Sequence, residues 1–197
     1  MSTIPFTHLA ARTAVVLRDD TDTDQIIPAR FLKTTEKAGL ASALFADWRY
    51  ADGGAPRPEF PLNQPDAAGA EILVGGRNFG CGSSREHAVW ALAAGGFRAV
   101  VAASFADIFR NNAAKNGLLA VEVSADFHAK VVSARARDAG VILTIDLAKQ
   151  EVSLPDGTTG TFPIDPFAKR CLLQGVDELG YLLSHSDRIE AHESGQG

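Results

Sequence analysis

The run Gly80-Cys81-Gly82-Ser83-Ser84-Arg85-Glu86 holds the residues of this chain best suited to chemistry. Two vicinal hydroxyls stand beside a guanidinium, which can grip a carboxylate in a planar, two-point geometry. Glycines at 80 and 82 let the backbone turn sharply and leave space for a ligand. The combination suits a small anion that is both held and acted on. Cys81 has two readings, a nucleophilic thiolate close to a helix start or simply a small residue of the loop, and the second is preferred.

The elements that must position this run can be read on either side of it. Ile72-Leu73-Val74 leads in as a strand, and Ala88-Val89-Trp90-Ala91-Leu92-Ala93-Ala94 leaves as a helix that stops at Gly95-Gly96. Ser83 is the expected N-cap, with Glu86 three residues on completing a capping box. Arg85 then falls in the first helical turn, where a cation opposes the helix dipole, and that placement suggests that an anion is awaited there. His87, one turn in, either orients the loop or packs the helix.

Other glycine-loop chemistries fail on spacing. Arg85 occupies the place of the third glycine of a dinucleotide fingerprint, and no acidic residue near position 100 would hold a ribose. There is no Gly-Lys-Ser/Thr for a phosphate loop. Ser83 also lacks the following glycine of a nucleophile elbow, because Arg85 stands two residues on. The acidic stretch Asp19-Asp20-Thr21-Asp22-Thr23-Asp24 has neither the glycine nor the terminal glutamate of an EF-hand loop, so it reads as Asx and Ser/Thr turns after a strand.

With 197 residues, 46% of them apolar, the chain suffices for one domain, expected over 1–197 with a C-terminal helical extension at about 165–192. A net charge of −5 without long runs provides no basic face for nucleic acid or an anionic membrane. No apolar run nears the ~20 residues that span a bilayer, and the first residues do not read as a leader, so a cytoplasmic protein is expected. The two cysteines, Cys81 and Cys171, form neither a disulfide framework nor a zinc motif. The five histidines are scattered without ligand spacing, and no metal site is expected on this chain.

Periodicity organises the remainder as an α/β fold, a mixed sheet flanked by helices. Ala14 to Leu17 reads as a short strand, and a helix is expected from Lys37 to Phe45. The stretch 52–69, rich in Gly, Pro, Asn and Asp, reads as an irregular connection of the kind that is often functional or mobile. Strand 99–103, helix 105–116 ended by Gly117, strand 118–123, helix 125–139 and strand 141–145 follow. A hairpin turning at Pro155-Asp156-Gly157-Thr158 makes the sheet mixed. One helix from Pro166 onward is expected, with Leu172, Leu173, Val176, Leu179, Leu182 and Leu183 on one stripe.

Gly82-Ser83-Ser84-Arg85-Glu86-His87-Ala88 resembles the signature of the swivelling domain of the aconitase superfamily. The preceding Arg77-Asn78-Phe79-Gly80-Cys81-Gly82 resembles the small subunits of bacterial 3-isopropylmalate dehydratases. Phe105-Ala106-Asp107-Ile108-Phe109, Asn111-Asn112, Asn116-Gly117 and Ile164-Asp165-Pro166-Phe167 extend the resemblance over nearly the whole chain. It implies a swivelling β/β/α domain and one half of a hydro-lyase that interconverts 2- and 3-isopropylmalate in leucine biosynthesis. By the same resemblance Ser83 is the catalytic serine, while Asp24, Ser84 and Arg85 bind substrate. Phe31, Leu32 and Lys33 fall in the loop that senses the substrate's variable group. Aconitase-type enzymes use a [4Fe-4S] cluster held by several thiolates, more than this chain supplies, so the resemblance requires a large-subunit partner carrying it. Two alternatives stay open: a sister hydro-lyase acting on homoaconitate, citraconate or another alkylmalate, or an anion-binding module without catalysis.

Overall fold

The computed structural model describes residues 4–32 and 39–183. In chain order the elements are strand β1 (His8–Val16), short helices α1 (Thr23–Ile26) and α2 (Ala46–Arg49), strand β2 (Ile72–Gly75), helix α3 (Glu86–Ala94), strand β3 (Ala99–Ala102) and helix α4 (Asp107–Lys115). Strand β4 (Leu119–Glu122), helix α5 (Ala125–Arg137), strands β5 (Ile142–Asp146), β6 (Glu151–Ser153) and β7 (Thr159–Thr161), and helices α6 (Pro166–Gln174) and α7 (Glu178–Leu183) complete them. The strands form one seven-stranded sheet in the order β4-β3-β2-β1-β5-β6-β7. Strands β1 to β4 run parallel, and β5 to β7 are antiparallel additions. This is the expected mixed sheet flanked by helices.

Strand β1 joins the two halves and is longer than the Ala14–Leu17 expectation. Its residues Thr13 to Val16 pair in parallel with Ile72 to Gly75. Its earlier residues, His8 to Arg12, pair antiparallel with β5. Apolar side chains alternate across the sheet, as the two-residue period of a strand demands. Ala14, Val16, Leu73 and Val100 enter one core with Val89, Leu92 and Phe109 of α3 and α4. Ile72, Val74, Ala99 and Val101 enter the other with Phe127 and Val131 of α5. Four parallel strands therefore end on one side, and the loops after β1 and β2 leave neighbouring carboxyl ends, the position at which α/β sheets present ligand sites.

Three expectations are corrected. No helix forms through Leu40–Phe45: a 3-10 turn at Leu40–Ser42 precedes α2, and residues 37 and 38 of the expected helix lie outside the described residues. The last helix is broken, because Gly175 takes a left-handed φ of 67° and ends α6 in a C-cap that a continuing helix cannot pass. Its leucine stripe consequently divides, with Leu172 buried and Leu179, Leu182 and Leu183 of α7 exposed. The connection through 52–69, expected to be irregular, contains two 3-10 turns, Pro61–Asn63 and Pro65–Ala67, and is tethered. Phe60 is buried in the first core. Arg135 of α5 donates to the Asp66 carboxylate at 2.6 Å, and Arg12 of β1 donates to the carbonyls of Asp66 and Ala68.

Candidate active site

The loops after β1 and β2 continue to pair after their strands have ended. The Asp20 N–H donates to the Arg77 carbonyl at 2.8 Å, that of Gly80 to Thr21 at 2.8 Å, and that of Thr23 to Cys81 at 2.9 Å. A parallel bridge between Asp22 and Cys81 completes the ladder. Side chains reinforce it: Asp19 accepts from the Arg77 amide at 2.7 Å, and Asp20 accepts from Asn78 Nδ2 at 2.8 Å. The acidic stretch is thus a structural clasp for the glycine loop. Phe79, fully buried, pins the same loop from its other side with its ring 5.4 Å from that of Phe109.

Close approach explains two of the glycines. Gly80 and Gly82 have φ of 76° and 84°, and a Cβ on them would overlap the Phe109 ring and the Asp22 carboxylate respectively. Asp22 itself caps α1, accepting from the Asp24 amide at 2.7 Å, while Gln25 reaches back to the Asp22 amide. The capping box therefore belongs to α1.

Helix α3 begins later than its sequence suggests. Its N-cap is Arg85, without a side-chain cap, and Ser83 lies two residues outside it. The ladder to Cys81 and the bond from Thr23 Oγ1 to the Ser83 carbonyl, 2.8 Å, hold the chain through residue 83, so winding starts only at Glu86. Glu86 accepts instead from Asn116 Nδ2 at 3.3 Å, and Trp90 Nε1 donates to Asn116 Oδ1 at 2.8 Å. Released from capping, Ser83 is exposed, as is Ser84. Asn112 Nδ2 lies 3.5 Å from Ser84 Oγ.

These loops bring Asp24, Ser83, Ser84 and Arg85 into one neighbourhood. Arg85 donates through Nη1 to the carboxylate of Asp24, with the guanidinium mostly covered and Asp24 half-exposed. Asp24 thereby offsets a cation placed against the positive end of α3. Phe31 and Leu32 sit on and just after a 3-10 turn that follows α1, half-buried against the core containing Ile26 and Ile27. Lys33 lies outside the described residues.

Cys81 donates its thiol to the Asp20 carbonyl at 3.2 Å, and burial, then the carboxylates of Asp22 and Asp20, push its pKa up. That setting opposes a thiolate and leaves Cys81 as a small loop residue. The His87 ring packs against Trp90, 4.6 Å between centroids. Sequence reading gave no site role to Thr23, Asn112 or Asn116. The four-residue spacing of the two asparagines marks one helix face, whereas nothing in the sequence distinguishes Thr23 from the polar residues around it.

The site faces outward. None of its residues lines the groove of about 290 Å³ between α4 and α6, whose walls include Arg110, Leu118 and Ile164. Among the described residues no group of three or more His, Cys, Asp or Glu could hold a metal, and no helix is long and apolar enough to cross a membrane.

Comparison with known proteins agrees with this fold. The family model of the Aconitase C-terminal domain matches residues 5–126, and that described as LeuD_N matches residues 134–166. The 3-isopropylmalate dehydratase small subunit of Anaeromyxobacter sp. (strain K) is 56% identical over 192 residues, covering 98% of each chain. That of Chloroflexus aggregans is 57% identical over 190 residues, covering 96% of this chain and 93% of the relative. Among solved structures, a 3-isopropylmalate dehydratase from Methanocaldococcus jannaschii superposes with a TM-score of 0.65 at 32% identity, covering 96% of this chain and 99% of that one.

Proposed function

The chain belongs to the family of 3-isopropylmalate dehydratase small subunits, built on the aconitase C-terminal domain, and on that premise we propose that it forms the substrate-facing half of a hydro-lyase interconverting 2- and 3-isopropylmalate. It is then a subunit of a leucine-biosynthetic enzyme in the cytoplasm. The observation that carries the reading is the assembly of Asp24, Ser83, Ser84 and Arg85 on two interlocked loops, at an open face that a second chain can close.

Elimination from an alkylmalate requires removal of a proton from carbon and departure of a hydroxyl from its neighbour. A [4Fe-4S] cluster would supply the Lewis acid for the hydroxyl. Cys81 and Cys171, the chain's two cysteines, are too few to ligate it, so its place is on the large subunit. Arg85 binds a substrate carboxylate through the guanidinium N–H groups that Asp24 leaves over, and Ser84 adds a hydroxyl. Ser83 Oγ takes the proton from carbon. A serine hydroxyl is a weak base, so the acceptor is its alkoxide, which the Arg85 charge and the amide-rich start of α3 support and which becomes the neutral hydroxyl on taking the proton. Phe31 and Leu32 offer apolar surface to the branched alkyl group, with Lys33 beside them in sequence.

The test is reconstitution. Mixed with a cluster-loaded large subunit from the same host, the chain should confer dehydratase activity on both isopropylmalate isomers. A complex that assembles yet turns over neither isomer would withdraw the reading.

A further inference from the structure

Thr23 lies between two site-building aspartates, yet it is 2% exposed and can meet no substrate. Its N–H and its hydroxyl both turn to the opposite loop, while its carbonyl accepts from the Ile27 amide. Its N–H donates to the Cys81 carbonyl at 2.9 Å, and its Oγ1 donates to the Ser83 carbonyl at 2.8 Å, sixty positions away in sequence. We infer that Thr23 is a positioning residue for the 3-isopropylmalate dehydratase reaction, fixing the Ser83–Ser84 peptide so that the Ser83 hydroxyl is aimed before substrate arrives. The inference rests on the function proposed above.

Planarity of the peptide gives the bond its reach. Locking the Ser83 carbonyl onto Thr23 directs the Ser84 N–H the opposite way, away from the buried threonine. It also restrains rotation about the Ser83 Cα–C bond, which would otherwise swing Ser84 relative to Ser83. Among the described residues no helix or strand does this instead, because Ser83 stands outside α3 and its neighbour Gly82 has the backbone freedom of a left-handed glycine, φ 84°. The same residue opens α1, whose next member, Asp24, holds Arg85. One buried hydroxyl thus ties the base to the carboxylate-binding pair.

The experiment compares Thr23→Val, which keeps shape and branching but removes the donor, with Thr23→Ser, which keeps the donor. In the reconstituted two-subunit enzyme, Thr23→Val should lower kcat by about 10- to 100-fold, the scale of a slightly misplaced catalytic group, while KM changes little. Thr23→Ser should restore kcat to near wild type. In the full chain alone, the NMR order parameters of the Ser83 and Ser84 amides should drop from about 0.85 toward 0.6 in Thr23→Val and recover in Thr23→Ser. Wild-type kcat in Thr23→Val, or unchanged order parameters, overturns the inference. If the wild-type complex itself is inactive on isopropylmalate, the functional reading fails, and the order parameters alone decide whether Thr23 holds the serine loop.

Discussion

The guanidinium of Arg85 is held by the carboxylate of Asp24, sixty-one positions apart in sequence and joined because their two loops pair beyond the strands that carry them. Each residue alone would be poorly placed: a cation at a helix start opposes the dipole, and a half-exposed aspartate at a substrate site repels a diacid. Together they present an oriented guanidinium whose remaining N–H groups can donate to an anion.

Arg85→Lys keeps the charge and loses the planar fork. KM for isopropylmalate should rise about 10- to 100-fold, the worth of a charge-assisted hydrogen bond of roughly 1.5–3 kcal/mol. Asp24→Asn should raise KM less, since the arginine stays charged but loses its orientation. The Arg85→Lys, Asp24→Asn double variant should fall short of the sum, because both changes act on one pair. Steady-state kinetics of the four proteins check this, and strict additivity would separate the residues.

Cys81 should resist alkylation at neutral pH. Burial first, then the charges of Asp22 and Asp20, raise its pKa above the ordinary thiol range of about 8.5. Iodoacetamide labelling, followed by mass spectrometry to separate Cys81 from the buried Cys171, should set in only at clearly alkaline pH. Cys81→Ala should leave turnover at the wild-type level.

Asp66 should make stability fall in acid. Its hydrogen bond from Arg135 is the main cause that lowers its pKa, against a smaller opposing effect of burial. A carboxyl whose pKa is depressed on folding stabilises the protein above its unfolded value of about 3.9, and that contribution is lost as pH drops through the folded value. Arg135 is buried, and the half-exposed Asp66 is partly screened by water, so Asp66→Asn should cost about 1 kcal/mol at pH 7. The difference between variant and wild type should begin to shrink near the unfolded value of about 3.9 and close as pH falls through the lower folded value. Denaturant unfolding across pH 2.5–7 measures both limbs, and a constant difference would assign the effect to packing.

The sheet and most helices were legible because their signals are local. Leu73 and Val74, Val100 and Val101, and the Pro155–Thr158 turn announce strands and a hairpin without reference to the rest of the chain. The Ser-Ser-Arg run stood out as a candidate site for the same reason. What could not be read was competition between distant partners. Ser83 and Glu86 satisfy a capping box on paper, but Thr23 takes the Ser83 carbonyl and Asn116 takes the Glu86 carboxylate, so α3 begins at Glu86 itself. The aspartates before Thr23 read as turn formers, whereas their carboxylates clasp the glycine loop. The leucine stripe after Pro166 reads as one helix, whereas the left-handed backbone of Gly175 divides α6 from α7.

The most direct test is turnover by Ser83→Ala in the reconstituted two-subunit enzyme, measured beside KM and complex formation. Removing the proton acceptor while the loop, Asp24 and Arg85 stay in place should lower kcat by about 100-fold or more, the usual worth of a positioned general base, with KM and assembly near wild type. Turnover within twofold of wild type would contradict the account, leaving Ser83 a bystander on a loop that serves only to bind.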